Sequence, residues 1–125
     1  MISGTILGLA FGAAVAASPA LADDITGTWL RESGQSKVKF APCGSATCGT
    51  IAWIKAGVDT PAKVGQRLFF DIKPTGPSTW SANYANPDDG KTYAAKISLS
   101  GGTLTTEGCA LGGMICRSST WTRAN

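Results

Sequence analysis

Pro42-Cys43-Gly44-Ser45-Ala46-Thr47-Cys48-Gly49 stands between two runs that alternate polar and apolar residues, and its reading decides the fold. Before it lies Lys37-Val38-Lys39-Phe40; after it, Thr50-Ile51-Ala52-Trp53-Ile54 does nearly the same. A period of two is the signature of a strand with one buried face. Two such strands joined through a Gly-Ser corner, with a cysteine on either side, predict a hairpin closed by a covalent bond.

Working outward, the same signals recur along the chain. Gly27 to Glu32 reads as a first strand ended by Ser33-Gly34-Gln35. Arg67 to Ile72 reads as a strand with Leu68, Phe70 and Ile72 on one face, and Thr79 to Tyr84 as one with Trp80, Ala82 and Tyr84 together. Asn86-Pro87-Asp88-Asp89-Gly90 is a turn: proline presets the corner and glycine accepts positive φ. Lys91 to Leu99 carries Tyr93, Ala95, Ile97 and Leu99 on one side, Ser100-Gly101-Gly102 turns the chain, and Thr103 to Glu107 and Arg117 to Arg123 complete the set. Ala56 to Gln66 has Gly, Asp and Pro and no period, so it is a loop with at most one helical turn.

After residue 22 no amphipathic helix of useful length remains. Eight short strands in sequential hairpins predict an all-β fold. The first reading is a small eight-stranded antiparallel up-and-down barrel, with a small sandwich as the alternative, because closure removes exposed edges. Eight strands enclose side chains or one small ligand, not a channel. Phe40, Trp53, Phe70, Trp80, Tyr84, Tyr93 and Trp121 fall on the faces assigned inward and are first read as core. Trp53, Phe70, Trp80, Tyr84 and Tyr93 are also the candidates for lining a mouth that holds a small apolar or sugar-like molecule.

Residues 1–22 hold an apolar run that ends in Ala20-Leu21-Ala22 before acidic Asp23-Asp24, the pattern of a cleaved signal peptide, although no Lys or Arg precedes the run. The run is too short and too rich in Gly and Ala to span a membrane comfortably. Residues 23–125 then form a single domain, with no stable membrane span after cleavage. Four cysteines in an exported chain imply two disulfides, for which three pairings exist. Cys43 with Cys48 and Cys109 with Cys116 would each clamp one hairpin, since cross-strand neighbours lie about 5.5 Å or less apart. Loop entropy favours long-range bridges, and ladder geometry favours the local ones. A zinc site would need a Cys-x-x-Cys-like spacing and a reducing compartment.

The net charge of +3 is mild and its cations are spread singly, so nothing points to nucleic acid. The chain has no histidine, which removes Ser-His and Cys-His nucleophile pairs and histidine metal sites. Carboxylates remain, but Asp88 and Asp89 sit in a turn, and periodicity puts Asp71 and Glu107 on the face away from the core. No catalytic residue, metal or cofactor is assigned. The run Ala110-Leu111-Gly112-Gly113-Met114-Ile115 is unusually apolar for a loop; it is expected to tuck over the barrel end as a lid, or else to protrude as a contact for a partner.

Gly27-x-Trp29, Pro42-Cys43-Gly44, Cys48-Gly49-x-Ile51-x-Trp53, Asn86-Pro87-Asp88-Asp89-Gly90-Lys91-Thr92-Tyr93, Gly108-Cys109 and Cys116-Arg117-Ser118 through Trp121-Thr122-Arg123 appear in this order. Together they resemble a family of small exported proteins, mostly of Gram-negative bacteria, catalogued as domain of unknown function twenty-one forty-seven. The resemblance covers essentially all of residues 23–125. It implies a lipocalin-like barrel, a periplasmic or secreted location and no established activity. It also implies structural roles for Trp29, whose indole would close one barrel end, for Arg123, which would lie across it, and for Trp121. The loop Ala56 to Gln66 looks shorter than in many members.

Two functions follow as expectations. One is a non-enzymatic binding module that takes a small apolar ligand or envelope component in the barrel. The other is a protein-protein role, such as inhibition of a periplasmic protease or lysozyme.

Overall fold

The computed structural model describes residues 24–124. The signal peptide expected over residues 1–22 lies outside the described residues. Eight strands follow in chain order: β1 (Gly27–Arg31), β2 (Ser36–Cys43), β3 (Ala46–Ile54), β4 (Arg67–Gly76), β5 (Thr79–Ala85), β6 (Thr92–Ser100), β7 (Thr103–Ala110) and β8 (Ile115–Arg123). Each pairs antiparallel with the next, and β8 pairs back onto β1 through Trp29 with Arg123 and Arg31 with Trp121. The sheet therefore closes into a barrel in sequential order. Closure gives every strand two paired edges, which is why such short segments are stable without helices.

The connections alternate between two ends. The terminal end carries the β2–β3, β4–β5 and β6–β7 turns with the start of β1 and the end of β8. The loop end carries the β1–β2, β3–β4, β5–β6 and β7–β8 connections. The β6–β7 turn is Gly101–Gly102, and Gly101 has a φ of 59°, which a β-branched residue would not tolerate.

Period two holds on most strands. Val38 and Phe40, Ala82, Ala95 and Ile97, Leu104 and Thr106, and Trp121 are all buried on the inner face. It breaks where bulges add a residue, and this corrects two sequence expectations. In β3, Lys37 faces Trp53 while Val38 faces Ile51, so Ala52 is the extra residue. Ile51 and Ile54 therefore point to the core and Trp53 points out, 38% exposed, with the Lys37 ammonium 5.1 Å from its ring. In β4, Phe70 faces Asn83 and Lys73 faces Ser81, leaving two residues opposite Ala82. Asp71 adopts a φ of 55° there, a conformation that aspartate accepts better than most side chains. The kink turns Phe69 inward beside Leu68 and Ile72, and Phe70 outward; the alternation of Leu68, Phe70 and Ile72 is not what forms.

The disulfides are Cys43–Cys48 and Cys109–Cys116, with Cα atoms 5.8 and 4.1 Å apart. Cys109 and Cys116 are direct cross-strand partners. Cys43 and Cys48 are diagonal, since Cys43 faces Ala46 and Cys48 faces Ala41. Replacing Cys43 and Cys48 by serine is expected to lower the unfolding free energy by about 2 kcal/mol, the loop-closure value for so short a ring. Urea titration of the oxidised wild type against the double variant checks it.

Candidate functional site

The terminal end is sealed by the residues that precede β1. Trp29 is 1% exposed and its Nε1 donates to the Ile25 carbonyl at 2.9 Å. Arg123 places its guanidinium 4.3 Å from the centroid of that indole, and donates to the Thr26 and Asp24 carbonyls at 2.6 and 2.8 Å. The first strand needs a flat ring here because one side must meet the core and the other a cation. Ile25 is thereby pressed into the barrel mouth and buried. The Asp24 carboxyl is held below its ordinary range, first by the Thr26 hydroxyl and then by the Thr26 amide.

The middle of the barrel is filled with rings. Phe40 stacks on Phe69 with centroids 5.9 Å apart, and Phe69 meets Tyr84 at 5.4 Å, a chain of aromatics across the interior. Two glycines make room for it. A Cβ on Gly49 would lie 2.8 Å from the Phe40 ring, and one on Gly108 would lie 3.2 Å from Tyr84. Trp121 donates from Nε1 to the Thr106 hydroxyl at 3.0 Å, which satisfies the buried polar group of β7. At the loop end Ile54 and Ala62 pack onto the same core, Ala62 arriving from the β3–β4 loop.

Around that end the seam between β8 and β1 is polar. Arg31 donates from Nη2 to the Ser119 hydroxyl at 3.0 Å and lies 3.5 Å from the Glu32 carboxylate. Glu32 accepts from the Thr120 amide and hydroxyl, and the amide is the main reason its pKa is lowered. Tyr84 is half-buried, and burial raises its pKa against the opposing field of Arg31. In the β5–β6 turn Asp89 accepts from the Lys91 amide at 2.8 Å and from the Tyr93 hydroxyl. That hydroxyl is the first cause of the lowered pKa of Asp89, and the bond raises that of Tyr93.

The β7–β8 tip stands out from this end. Leu111 is 70% exposed, Met114 85% and Ile115 52%, so the tip is not tucked over the barrel as a lid. It is instead a protruding apolar turn clamped at its base by Cys109–Cys116. Leu111 takes a φ of 52°, which glycine would take more easily, and Gly112 and Gly113 follow at 67° and 93°.

The family model described as "Uncharacterized protein conserved in bacteria (DUF2147)" matches residues 27–123, from the first residue of β1 to the last of β8. The chain belongs to this family. No curated protein matches it. Among solved structures it resembles a Helicobacter pylori protein described as belonging to the lipocalin family, with 16% identity, a TM-score of 0.66, and coverage of 82% of this chain and 84% of that one. At that identity the likeness shows the fold: this family member is a lipocalin-like barrel.

Within this DUF2147 barrel the five aromatics proposed to line a ligand do not all meet, although Tyr84 and Tyr93 are direct cross-strand partners. Trp80 and Tyr84 pack against the core, Tyr93 sits over the β5–β6 turn, and Trp53 and Phe70 lie on the outer wall. Two concavities lie on the outer wall. One crosses β5 to β8 over Thr79, Ser81, Lys96, Ser98, Thr105 and Glu107, with Trp80 at its edge. The other lies between the Cys43–Cys48 hairpin and Arg67, Phe70 and Asp71. Each holds one carboxylate, Glu107 or Asp71, and no second acid, so neither has the pair that glycoside hydrolysis uses. Glu107 also lies near Cys109 and Cys116, whose sulfurs are bonded to each other.

Sequence reasoning missed Phe69 and the Arg31, Glu32, Ser119 and Thr120 seam. The polar seam left no periodic signal, because its partners are 88 residues apart. It does set a pH dependence. Glu32 and Asp24 have folded pKa values below their unfolded ones, so their stabilisation is present above the ordinary carboxylate range and is lost as pH falls through the folded values. Glu32→Ala is expected to flatten the fall in the urea midpoint between neutral and acid pH. An unchanged slope would mean that the seam contributes nothing.

Proposed function

We propose that the chain is an exported, non-enzymatic binding module that recognises an envelope component with the rim of its loop end. The observation that carries this reading is the contrast between a filled interior and an exposed, covalently clamped apolar tip at Leu111–Ile115. A cargo inside the barrel would have to displace Phe69 from between Phe40 and Tyr84. An envelope component met at the rim displaces only water.

Several features support it. The two disulfides fit an oxidising compartment, and among the described residues no helix is long and apolar enough to cross a membrane. The lipocalin-like fold commonly serves binding, and the absence of histidine from the chain restricts acid-base chemistry to weaker candidates. A left-handed leucine at an exposed tip is a conformation with a cost, and such costs cluster at sites of recognition. The alternative role, as an inhibitor of a periplasmic protease or lysozyme, uses the same protruding tip with a cleft as its receptor.

Fractionation of the natural host tests the reading. The wild type is expected in the envelope fraction and the Leu111→Ser, Met114→Ser double variant in the soluble one, both folded by near-ultraviolet circular dichroism. Equal partition of the two would end the proposal. Native mass spectrometry of the purified protein is expected to show the bare chain mass; a stoichiometric small molecule would return the function to the interior.

A further inference from the structure

The two disulfides stand in different surroundings. Cys48 is 6% exposed, and β4 runs along its far side through Thr47 with Ile72 and Gly49 with Phe69, so an incoming thiol cannot reach its sulfur. Attack on Cys43 would instead expel the Cys48 thiolate into a buried site, which desolvation opposes. Cys109 and Cys116 are on the outer wall. Leu104 and Thr106 of β7 face the core, so Thr105, Glu107 and Cys109 face out, with Cys109 half-buried and its partner Cys116 exposed. A thiolate attacks a disulfide from the side opposite the leaving sulfur. For Cys116 that side is open. β1 runs along β8 from Arg123 to Trp121, and the Glu32 amide then reaches the Thr120 carbonyl; Cys116 lies beyond, with no strand among the described residues paired on the side away from Cys109.

The register sets two rows next to each other on this wall. One is Ser81, Lys96, Glu107 and Ser118; the other is Asn83, Ala94, Cys109 and Cys116. The Glu107 carboxylate lies within 4.8 Å of both sulfurs. Lys96 is its cross-strand neighbour but is not ion-paired with it. Arg117 follows Cys116 in sequence, yet it pairs with Gly108, where a side chain would point at Tyr84, and so belongs to the inner face. The charge beside the sulfurs is therefore negative. Thiolate attack spreads negative charge over three sulfurs, and a carboxylate at this distance opposes it. Beyond the bridge, Leu111, Gly112 and Gly113 take φ of 52°, 67° and 93° in succession, a tightly wound turn whose two ends this bridge holds together.

We infer that Cys109–Cys116 is a thiol-exchange site: a dithiol reductant opens it ahead of Cys43–Cys48, Glu107 slows the attack, and opening releases the β7–β8 tip. A thiolate of the dithiol bonds to the Cys116 Sγ as the bond between the two cysteine sulfurs breaks, and its electron pair leaves with Cys109, which takes up a proton. The second thiol of the reductant, on losing its proton, displaces Cys116, which is protonated in turn. The protein gains two electrons and two protons, and the dithiol becomes its own disulfide. The inference goes beyond the rim reading, and none of it depends on what the tip meets.

The test is reduction of the folded, exported protein by dithiothreitol, with free thiols trapped by N-ethylmaleimide at intervals and assigned by peptide mass spectrometry. Label is expected on Cys109 and Cys116 about tenfold or more sooner than on Cys43 and Cys48, and about threefold sooner again in Glu107→Gln. Protein caught with this bridge alone open is expected to keep its near-ultraviolet circular dichroism and to be cut by chymotrypsin after Leu111 or Met114 about tenfold faster than the oxidised form. Equal opening of the two bridges, or opening of Cys43–Cys48 first, overturns the exchange site. An unaltered rate in Glu107→Gln overturns the part given to the carboxylate, and unaltered cleavage overturns the part given to the tip. If wild type and the serine tip variant partition equally while Cys109–Cys116 opens first, the rim reading falls and this one stands.

Discussion

Replacing Trp29 by alanine is expected to lower the unfolding free energy by about 4 kcal/mol, within the range for removing a fully buried aromatic. The indole is 1% exposed, donates to Ile25 and carries Arg123 on its outer face. Its loss therefore opens a cavity and also releases the plug that seals the terminal end. Because a domain of this size has about 5 to 15 kcal/mol in all, the variant is expected to melt on the order of 20 °C lower. Arg123→Ala removes only the cation and two hydrogen bonds to carbonyls, and a cation on a ring contributes about 0.5 to 2 kcal/mol, so its fall is expected to be smaller. Thermal and urea unfolding of both variants measure the difference. A Trp29→Ala midpoint no lower than that of Arg123→Ala would show that the indole is not the keystone of that end.

The second large effect separates two neighbouring phenylalanines. Phe69→Ala is expected to cost about 3 to 5 kcal/mol, since the ring lies between Phe40 and Tyr84 and nothing flexible can refill its place. Phe70→Ala is expected to cost under about 1.5 kcal/mol, because that ring is half-buried on the outer wall beside the Cys43–Cys48 hairpin. Strict alternation from Leu68 to Ile72 predicts the reverse order. Urea unfolding of the pair therefore decides whether the Asp71 bulge sets the inner face of β4. Larger destabilisation from Phe70→Ala would remove the aromatic stack from the account of the core, and with it the claim that the interior has no room for cargo.

The strand count, their order and the local disulfides were legible because each depends on short-range features. Alternation marks a strand, Gly and Pro mark a corner, and two cysteines flanking a corner come within bonding reach once the hairpin forms. The inward face was legible on β2, β5, β6 and β8, where Phe40, Ala82, Ile97 and Trp121 all follow period two. It failed at Trp53 and Phe70. A single added residue moves every later side chain to the other face, and whether one is added depends on how the neighbouring strand is paired.

The tip shows the same division. Leu111 to Ile115 is recognisably an apolar loop in the sequence, and tucking it over the barrel would have buried its side chains. The disulfide beneath it and the left-handed backbone at Leu111 direct it outward instead. From residue order alone came an all-β barrel of eight strands, its two bridges and a chemistry without histidine, since these depend on neighbours in sequence. The solid interior, the outward Trp53 and the placing of the β3–β4 and β7–β8 connections on opposite sides of one end were decided by closure of the sheet, which alone sets what lies across the barrel from what.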